Sequence, residues 1–143
     1  MKIVNRMKVQ FPSCSQNEGL ARMVVTAFAS AADPTVEELC DLKTAVSEAV
    51  TNAVVHGYRE GDGEIYITAR LTDGGKLTVK VQDKGCGIAD IQKAREPLFT
   101  TAPEGERAGL GFAVMEELCE KVKVRSQLGR GTVVTLEKQL SQR

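Results

Sequence analysis

The chain has 143 residues, a length that fits a single domain, and its 42% hydrophobic and 27% charged residues are ordinary for a soluble globular protein. Nineteen Lys and Arg residues balance nineteen Asp and Glu residues, so we expect no direct nucleic-acid partner and no attraction to an anionic membrane. No apolar stretch approaches the ~20 residues of a membrane span, and the N-terminal segment lacks the continuous apolar core of a signal peptide. We therefore expect one cytoplasmic domain over residues 1–143.

The first half of the chain predicts a strand and two helices. Alternating apolar residues over 3–11 indicate a strand, and apolar residues at helical spacing over 18–31 indicate a helix. Thr35 and Glu38 have the spacing of a capping box, which predicts the start of a longer second helix. Gly57 is expected to end that helix.

The second half predicts two hairpins separated by a long loop and a short helix. A loop longer than about 12–15 residues in a compact domain is usually functional or disordered. We expect an α+β fold, a two-layer sandwich with helices on one face of a mostly antiparallel sheet. The predicted elements are strands 64–71 and 76–82, loop 83–110, helix 112–120, and strands 122–126 and 132–138.

The second helix carries a polar stripe. Glu48, Asn52 and His56 are spaced by four residues each, which places them on one helix face, and alanines flank them. Polar side chains on an alanine-lined face need partners, because burying them unpaired is costly. A solvated helix face is the plain alternative, and His56 alone is better explained as a partner of the helix C-terminal dipole.

Two glycine-rich segments follow. Asp83 stands where the predicted strand 76–82 ends, and Gly85 and Gly87 allow positive φ and close backbone approach. A buried carboxylate there can accept a hydrogen bond from an exocyclic amine such as that of adenine. Gly109 and Gly111 precede the third helix, where free N–H groups and the helix dipole favour a phosphate. Each segment alone is also compatible with a plain turn, and the sequence contains neither a P-loop nor the eukaryotic kinase motifs.

Taken in order, these segments resemble the ATP-binding domain shared by gyrase, Hsp90, histidine kinases and MutL, which has the Bergerat-type fold. The helix segment 48–57 resembles the N box of that family, and 83–87 and 109–111 resemble its two glycine boxes. Residues 131–132 are similar to its final box, and 96–99 to the segment before its lid. Within that group, K-T-A-V-S-E-A-V-T-N-A-V-V-H-G-Y and P-L-F-T-T most resemble the anti-sigma-factor serine kinases of spore-forming bacteria.

The resemblance implies a role for each matching residue. Glu48 would be the general base that takes the proton of a substrate serine, and Asn52 would bind Mg²⁺. Asp83 would accept from the adenine amine, while Arg107 would reach the phosphates from a lid over 97–108. The nucleotide-binding residues implied in this way are Asn52, Asp83, Gly85, Gly87, Arg107, Gly109, Gly111 and Thr132.

The resemblance also implies a function and partners. It implies a homodimeric kinase that binds and inhibits a sporulation sigma factor and uses ATP and Mg²⁺ to phosphorylate a serine of an anti-anti-sigma factor. Arg22 and the first helix are plausible partner contacts. Two alternatives stay open: the catalytic domain of a histidine kinase, and a non-enzymatic, ATP-dependent binding module. The identity of the phosphorylated residue, if there is one, distinguishes the three.

Overall fold

A computed structural model describes residues 2–58, 62–88 and 111–141 of the chain. Those residues form a two-layer α+β sandwich in which helices cover one face of a five-stranded sheet, as the sequence predicts. Within these ranges, no helix is both long and apolar enough to cross a membrane. The elements are β1 (Ile3–Pro12), α1 (Gln16–Ser30), α2 (Val36–Asn52), a π-helical turn (Ala53–Gly57), β2 (Glu64–Thr72), β3 (Lys76–Asp83), α3 (Gly111–Leu118), β4 (Lys121–Gln127) and β5 (Gly131–Gln139).

The sheet is antiparallel throughout, with the strand order β1-β2-β3-β5-β4. Side chains alternate between its two faces, so that every second residue of β2 and β3 is buried against the helices. This alternation fixes the register, because a slip of one residue would turn the apolar side chains to the solvent. The buried residues of these two central strands are Ile65, Ile67, Ala69, Leu71, Leu77, Val79 and Val81.

Helix α2 packs its apolar stripe on the sheet and contacts both α1 and α3. Leu42, Val46 and Val50 are fully buried, and burial of each such side chain contributes about 1.5–3 kcal/mol. The predicted capping box at its start is confirmed. The Glu38 N–H donates to Thr35 Oγ1 over 3.0 Å, and the Thr35 N–H donates to Glu38 Oε1 over 2.8 Å.

The second helix ends at Gly57, as the sequence predicts, but its last turn is not α-helical. The α-helical hydrogen bonds stop at Asn52, and the chain continues as one π-helical turn through Gly57. Gly57 does not adopt the positive φ of a helix-ending glycine; the reason for a glycine there is a close approach described below. Because a π turn holds more residues than an α turn, it also changes the angle of His56 relative to the predicted stripe.

One buried cation connects the two layers. The Lys138 side chain of β5 points to the core side, and its Nζ donates to the carbonyl oxygen of Leu118, at the end of α3, over 2.6 Å. The Asp41 carboxylate of α2 lies 3.4 Å from the same nitrogen. A buried charge needs such partners, so Lys138 ties β5 to both α2 and α3.

Candidate functional site

Asp83 is the last residue of β3 and is buried, with 6% of its surface exposed. The backbone N–H of Gly85 donates to Asp83 Oδ1 over 2.9 Å. Burial raises the pKa of this carboxyl group, and hydrogen bonds from the N–H groups of Gly85 and Thr132 oppose the rise. These backbone donors hold the carboxylate in place and leave it able to accept a further hydrogen bond from a ligand.

The backbone of the first glycine box passes very close to the end of the π turn. A Cβ on Gly85 would lie 2.0 Å from the carbonyl oxygen of Gly57, and a Cβ on Gly57 would lie 2.7 Å from the Asp83 carboxylate. The N–H of Cys86 donates to the same Gly57 carbonyl oxygen over 2.7 Å. Glycine is therefore required on both sides of this contact, which places the helix end directly against Asp83.

Tyr58 joins three segments around that contact. Its hydroxyl group accepts from the Lys84 N–H over 2.7 Å and donates to the Glu64 carbonyl oxygen over 2.5 Å. Tyr58 directly follows the π turn, Lys84 directly follows Asp83, and Glu64 begins β2. The phenol thus fixes the residue after Asp83, and sequence reasoning missed it because no local pattern marks its partners.

Ser126 organises the opposite side of the box and was also missed. Its Oγ accepts from the Ile88 N–H over 2.7 Å, donates to the Gly131 carbonyl oxygen over 3.0 Å, and lies 2.9 Å from Thr132 Oγ1. Thr132 is buried and is the register partner of Asp83 across β3 and β5. Thr132 therefore lies beside Asp83 at the same edge of the sheet.

A second group of polar atoms lies where α2 faces the first residue of α3. Glu48 and Asn52 are one turn apart on α2, and both are partly buried. A Cβ on Gly111 would lie 3.2 Å from the Asn52 side-chain amide and 3.3 Å from Glu48 Oε2. The fold thus brings Glu48, Asn52 and Gly111 together, and glycine at 111 lets the start of α3 approach the carboxylate and the amide closely.

The remaining predicted site residues divide into two groups. Gly87 has a positive φ of 78°, as the glycine box predicts. Arg107, Gly109 and the lid segment 97–108 lie outside the described residues.

The donor set between α2 and α3 consists of oxygen atoms and an amide, which suits a hard cation such as Mg²⁺. The described part of the chain contains no cluster of three or more His, Cys, Asp or Glu side chains that could hold a metal alone. Mg²⁺ usually takes one or two protein ligands, several waters and substrate phosphates. The residues present therefore fit a metal that arrives with a nucleotide.

Comparison with known proteins identifies the class to which this geometry belongs. Residues 11–138 match the family described as the histidine kinase-like ATPase domain. The fold resembles that of a Mycobacterium tuberculosis structure of RsbU and RsbW domains, with a TM-score of 0.71 at 21% identity, covering 98% of this chain and 34% of that one. That similarity concerns the fold alone.

Sequence relatives are more specific. The chain is 52% identical to the anti-sigma F factor of Thermoanaerobacter sp. (strain X514) over 138 residues, 96% of each chain. It is 49% identical to the anti-sigma F factor of Heyndrickxia coagulans over 138 residues, 96% of this chain and 94% of that one. The chain therefore belongs to the family of histidine kinase-like ATPase domains, and within it to the group of the anti-sigma F factors.

Proposed function

We propose that this chain is an ATP-dependent protein-serine kinase that acts as an anti-sigma factor. In this role it binds and inhibits a sporulation sigma factor, and it phosphorylates a serine of the anti-anti-sigma factor that antagonises it. The observation that carries the proposal is the identity of about half of all residues to proteins named anti-sigma F factor, over nearly the full length of both chains. The chemistry of two groups of site residues, one around Asp83 and one on α2, supports the proposal.

The Asp83 group suits an adenine base. The carboxylate is buried, so a hydrogen bond from the exocyclic amine of adenine would be made without competition from water. The carbonyl oxygen of guanine would meet the same carboxylate without a proton between them. Gly85 and Gly87 leave room for the base and ribose, and Thr132 lies at the same edge.

The group on α2 suits the phosphates and the chemical step. Gly111 begins α3, whose N-terminal N–H groups and dipole favour a phosphate, and Gly109 and Arg107 would complete this end. Asn52 would hold Mg²⁺, which when bound neutralises phosphate charge. Glu48 lies one turn away and would accept the proton of the serine hydroxyl as its oxygen attacks the γ-phosphorus and ADP leaves.

The partners would meet the chain mainly at α1. Leu20 and Met23 of this helix expose 47% and 69% of their surface, an unusual display for large apolar side chains. Arg22 of the same helix approaches Glu18 at 3.8 Å, with 44% of its side chain exposed. We place the contacts for the sigma factor and the antagonist here, in a cytoplasmic homodimer.

The test combines the purified chain, ATP, Mg²⁺ and the candidate acceptor protein, followed by identification of the modified residue by mass spectrometry. The proposal predicts phosphoserine on the acceptor and co-purification of the sigma factor with the unmodified chain. Phosphohistidine would show a histidine kinase instead. Nucleotide binding without any transfer would show a binding module.

A further inference from the structure

The sheet face that points away from the helices, called the outer face, carries an excess of positive charge. The strand registers place every second residue on this face, and its Lys and Arg side chains are exposed. Glu64 and Glu137 are its acidic residues among the described strands. Its basic residues are Arg6 and Lys8 of β1, Arg70 of β2, Lys76 and Lys80 of β3, and Lys121, Lys123 and Arg125 of β4.

The strand register places three of these basic residues in a row. Lys8, Lys80 and Lys123 lie in one row across the sheet, on alternate strands, with Thr68 and Thr135 between them. Because neighbouring strands are about 4.8 Å apart, successive lysines of the row stand roughly 10 Å apart. The row therefore presents three ammonium groups separated by hydroxyl groups, all of which can donate hydrogen bonds to an anion.

A second feature indicates that this charge has an external partner. Arg6 and Arg70 are directly opposite each other on β1 and β2, and both are exposed. Like charges directly opposite on neighbouring strands are destabilising. Neither guanidinium forms an ion pair with an acid of the described residues, whereas Lys76 and Lys123 both reach Glu137, at 2.9 and 3.4 Å. An anion bound between the two arginines would relieve their repulsion.

The helical layer has the opposite charge. Its described helices contain Arg22 and Lys43 as basic residues against a larger acidic set. The balanced net charge of the sequence, which predicts no nucleic-acid partner, thus conceals two layers of opposite sign. The acidic residues of the helices are Glu18, Glu37, Glu38, Asp41, Glu48, Glu116 and Glu117.

We propose that the outer face docks on the phosphate backbone of double-stranded nucleic acid, through the Arg6–Arg70 pair and the row of Lys8, Lys80 and Lys123. Binding of a duplex by phosphate contacts needs clustered cations and no base recognition. The outer face supplies this ordered charge, although Lys76 and Lys123 share Glu137 as an ion-pair partner. The nucleotide-site residue Asp83 points to the other side of the sheet, so the two sites can act independently.

Other occupants fit this surface less well. Protein interfaces are depleted in lysine and enriched in aromatic residues, but this face is rich in lysine and carries only Tyr66 as an aromatic residue within the described strands. A second copy would bring like charges together. Single strands are bound by stacking on aromatic rings, and the Tyr66 ring is already covered by Lys84, whose Nζ lies 4.8 Å from its centroid.

The test is fluorescence anisotropy of a labelled 20-base-pair duplex of arbitrary sequence, titrated with the full chain at increasing salt. We expect a dissociation constant of about 10⁻⁶–10⁻⁴ M near physiological salt and tighter binding at 50 mM salt. Five phosphate contacts predict a slope of log K against log salt of about −4.5. Replacing Lys8, Lys80 and Lys123 with Gln should reduce that slope to about −2.

A matched pair of charge reversals provides the control. Lys80→Glu on the outer face should weaken duplex binding at least about tenfold, whereas Lys43→Glu on α2 changes net charge equally and should have less than about a twofold effect. ATP affinity should stay unchanged in both variants. Equal weakening by both, no duplex binding at 50 mM salt, or binding only to poly-glutamate or to vesicles containing anionic lipid would overturn the proposal. None of these results would bear on the kinase proposal.

Discussion

At one end of the site Asp83 is enclosed by backbone from the π turn and from β5, whereas at the other end Glu48 and Asn52 project as side chains from a single helix toward Gly111. The first end is built by close approach of main chain to main chain, so its residues act through shape. The second end consists of a carboxylate and an amide side chain beside the start of α3, so its residues act through chemistry. Substitutions at the two ends should therefore fail in different ways.

The largest losses of stability and ATP affinity are expected where the close backbone packing around Asp83 is disrupted. Gly85→Ala places a Cβ about 2 Å from the Gly57 carbonyl oxygen, so the glycine box must move away from the helix end. Overpacking of this kind costs about 1–3 kcal/mol, and displacement of Asp83 should lower ATP affinity about a hundredfold. Calorimetric titration and thermal unfolding measure both effects. Gly19→Ala, where the added Cβ would meet the end of the Arg22 side chain at 3.7 Å, should leave ATP affinity unchanged. It should not lower the melting temperature, because alanine is favoured over glycine within a helix.

At the chemical end, Asn52→Ala should impair binding without harming the fold. Removal of a partner from a charged group costs about 1.5–3 kcal/mol, which corresponds to about a 10- to 150-fold loss of Mg·ATP affinity. The melting temperature should remain near that of the original chain, because Asn52 is only partly buried. Titration with and without Mg²⁺ checks this, with the exposed Thr44→Ala as control. Unchanged affinity would remove Asn52 from the metal site.

Asp83→Asn should lose the preference for ATP over GTP and gain folding stability at neutral pH. The chain should prefer ATP over GTP by about tenfold or more, and the variant should lose this preference. Burial raises the pKa of Asp83 above its unfolded value, so its ionisation costs folding free energy once the pH exceeds that value. The variant should therefore unfold at higher denaturant concentration at neutral pH, with the gain disappearing in acid. Equal binding of ATP and GTP by the original chain would exclude Asp83 as the base-recognition group.

The smallest effect is expected from Tyr58→Phe, which keeps the ring and removes the hydroxyl that holds Lys84 and Glu64. A hydrogen bond of this kind contributes about 1 kcal/mol, so ATP affinity should fall about fivefold. Tyr66→Phe is the matched control on the outer face. An equal loss in both variants would show that the Tyr58 hydroxyl does not position the glycine box.

The sequence predicts those features that depend on neighbours in the chain. The capping box at Thr35, the hairpin strands and the position of Asp83 at a strand end follow from local patterns, and all are confirmed. The π turn and the Gly57–Gly85 contact depend on segments almost thirty residues apart, so no local pattern contains them. The hydrogen bonds of Tyr58 and Ser126 are missed for the same reason.

The distribution of charge over the two layers is likewise not predictable from local sequence patterns. Lysines 8, 80 and 123 are isolated in the sequence, and only the register of four strand pairs places them in one row. A net charge of zero is correct for the whole chain and uninformative about either layer. Which strands pair is decided by tertiary packing, so the outer face becomes visible only once the sheet order is known.

The most direct test of the proposed kinase separates binding from chemistry at Glu48. Glu48→Gln keeps the size of the side chain and its capacity for hydrogen bonds but cannot accept the serine proton. ATP affinity and sigma-factor binding should be preserved, while single-turnover phosphoryl transfer to the anti-anti-sigma factor should fall by about 10²–10⁴. Transfer by Glu48→Gln at the original rate, with ATP affinity also unchanged, would contradict the assignment of Glu48 as the general base.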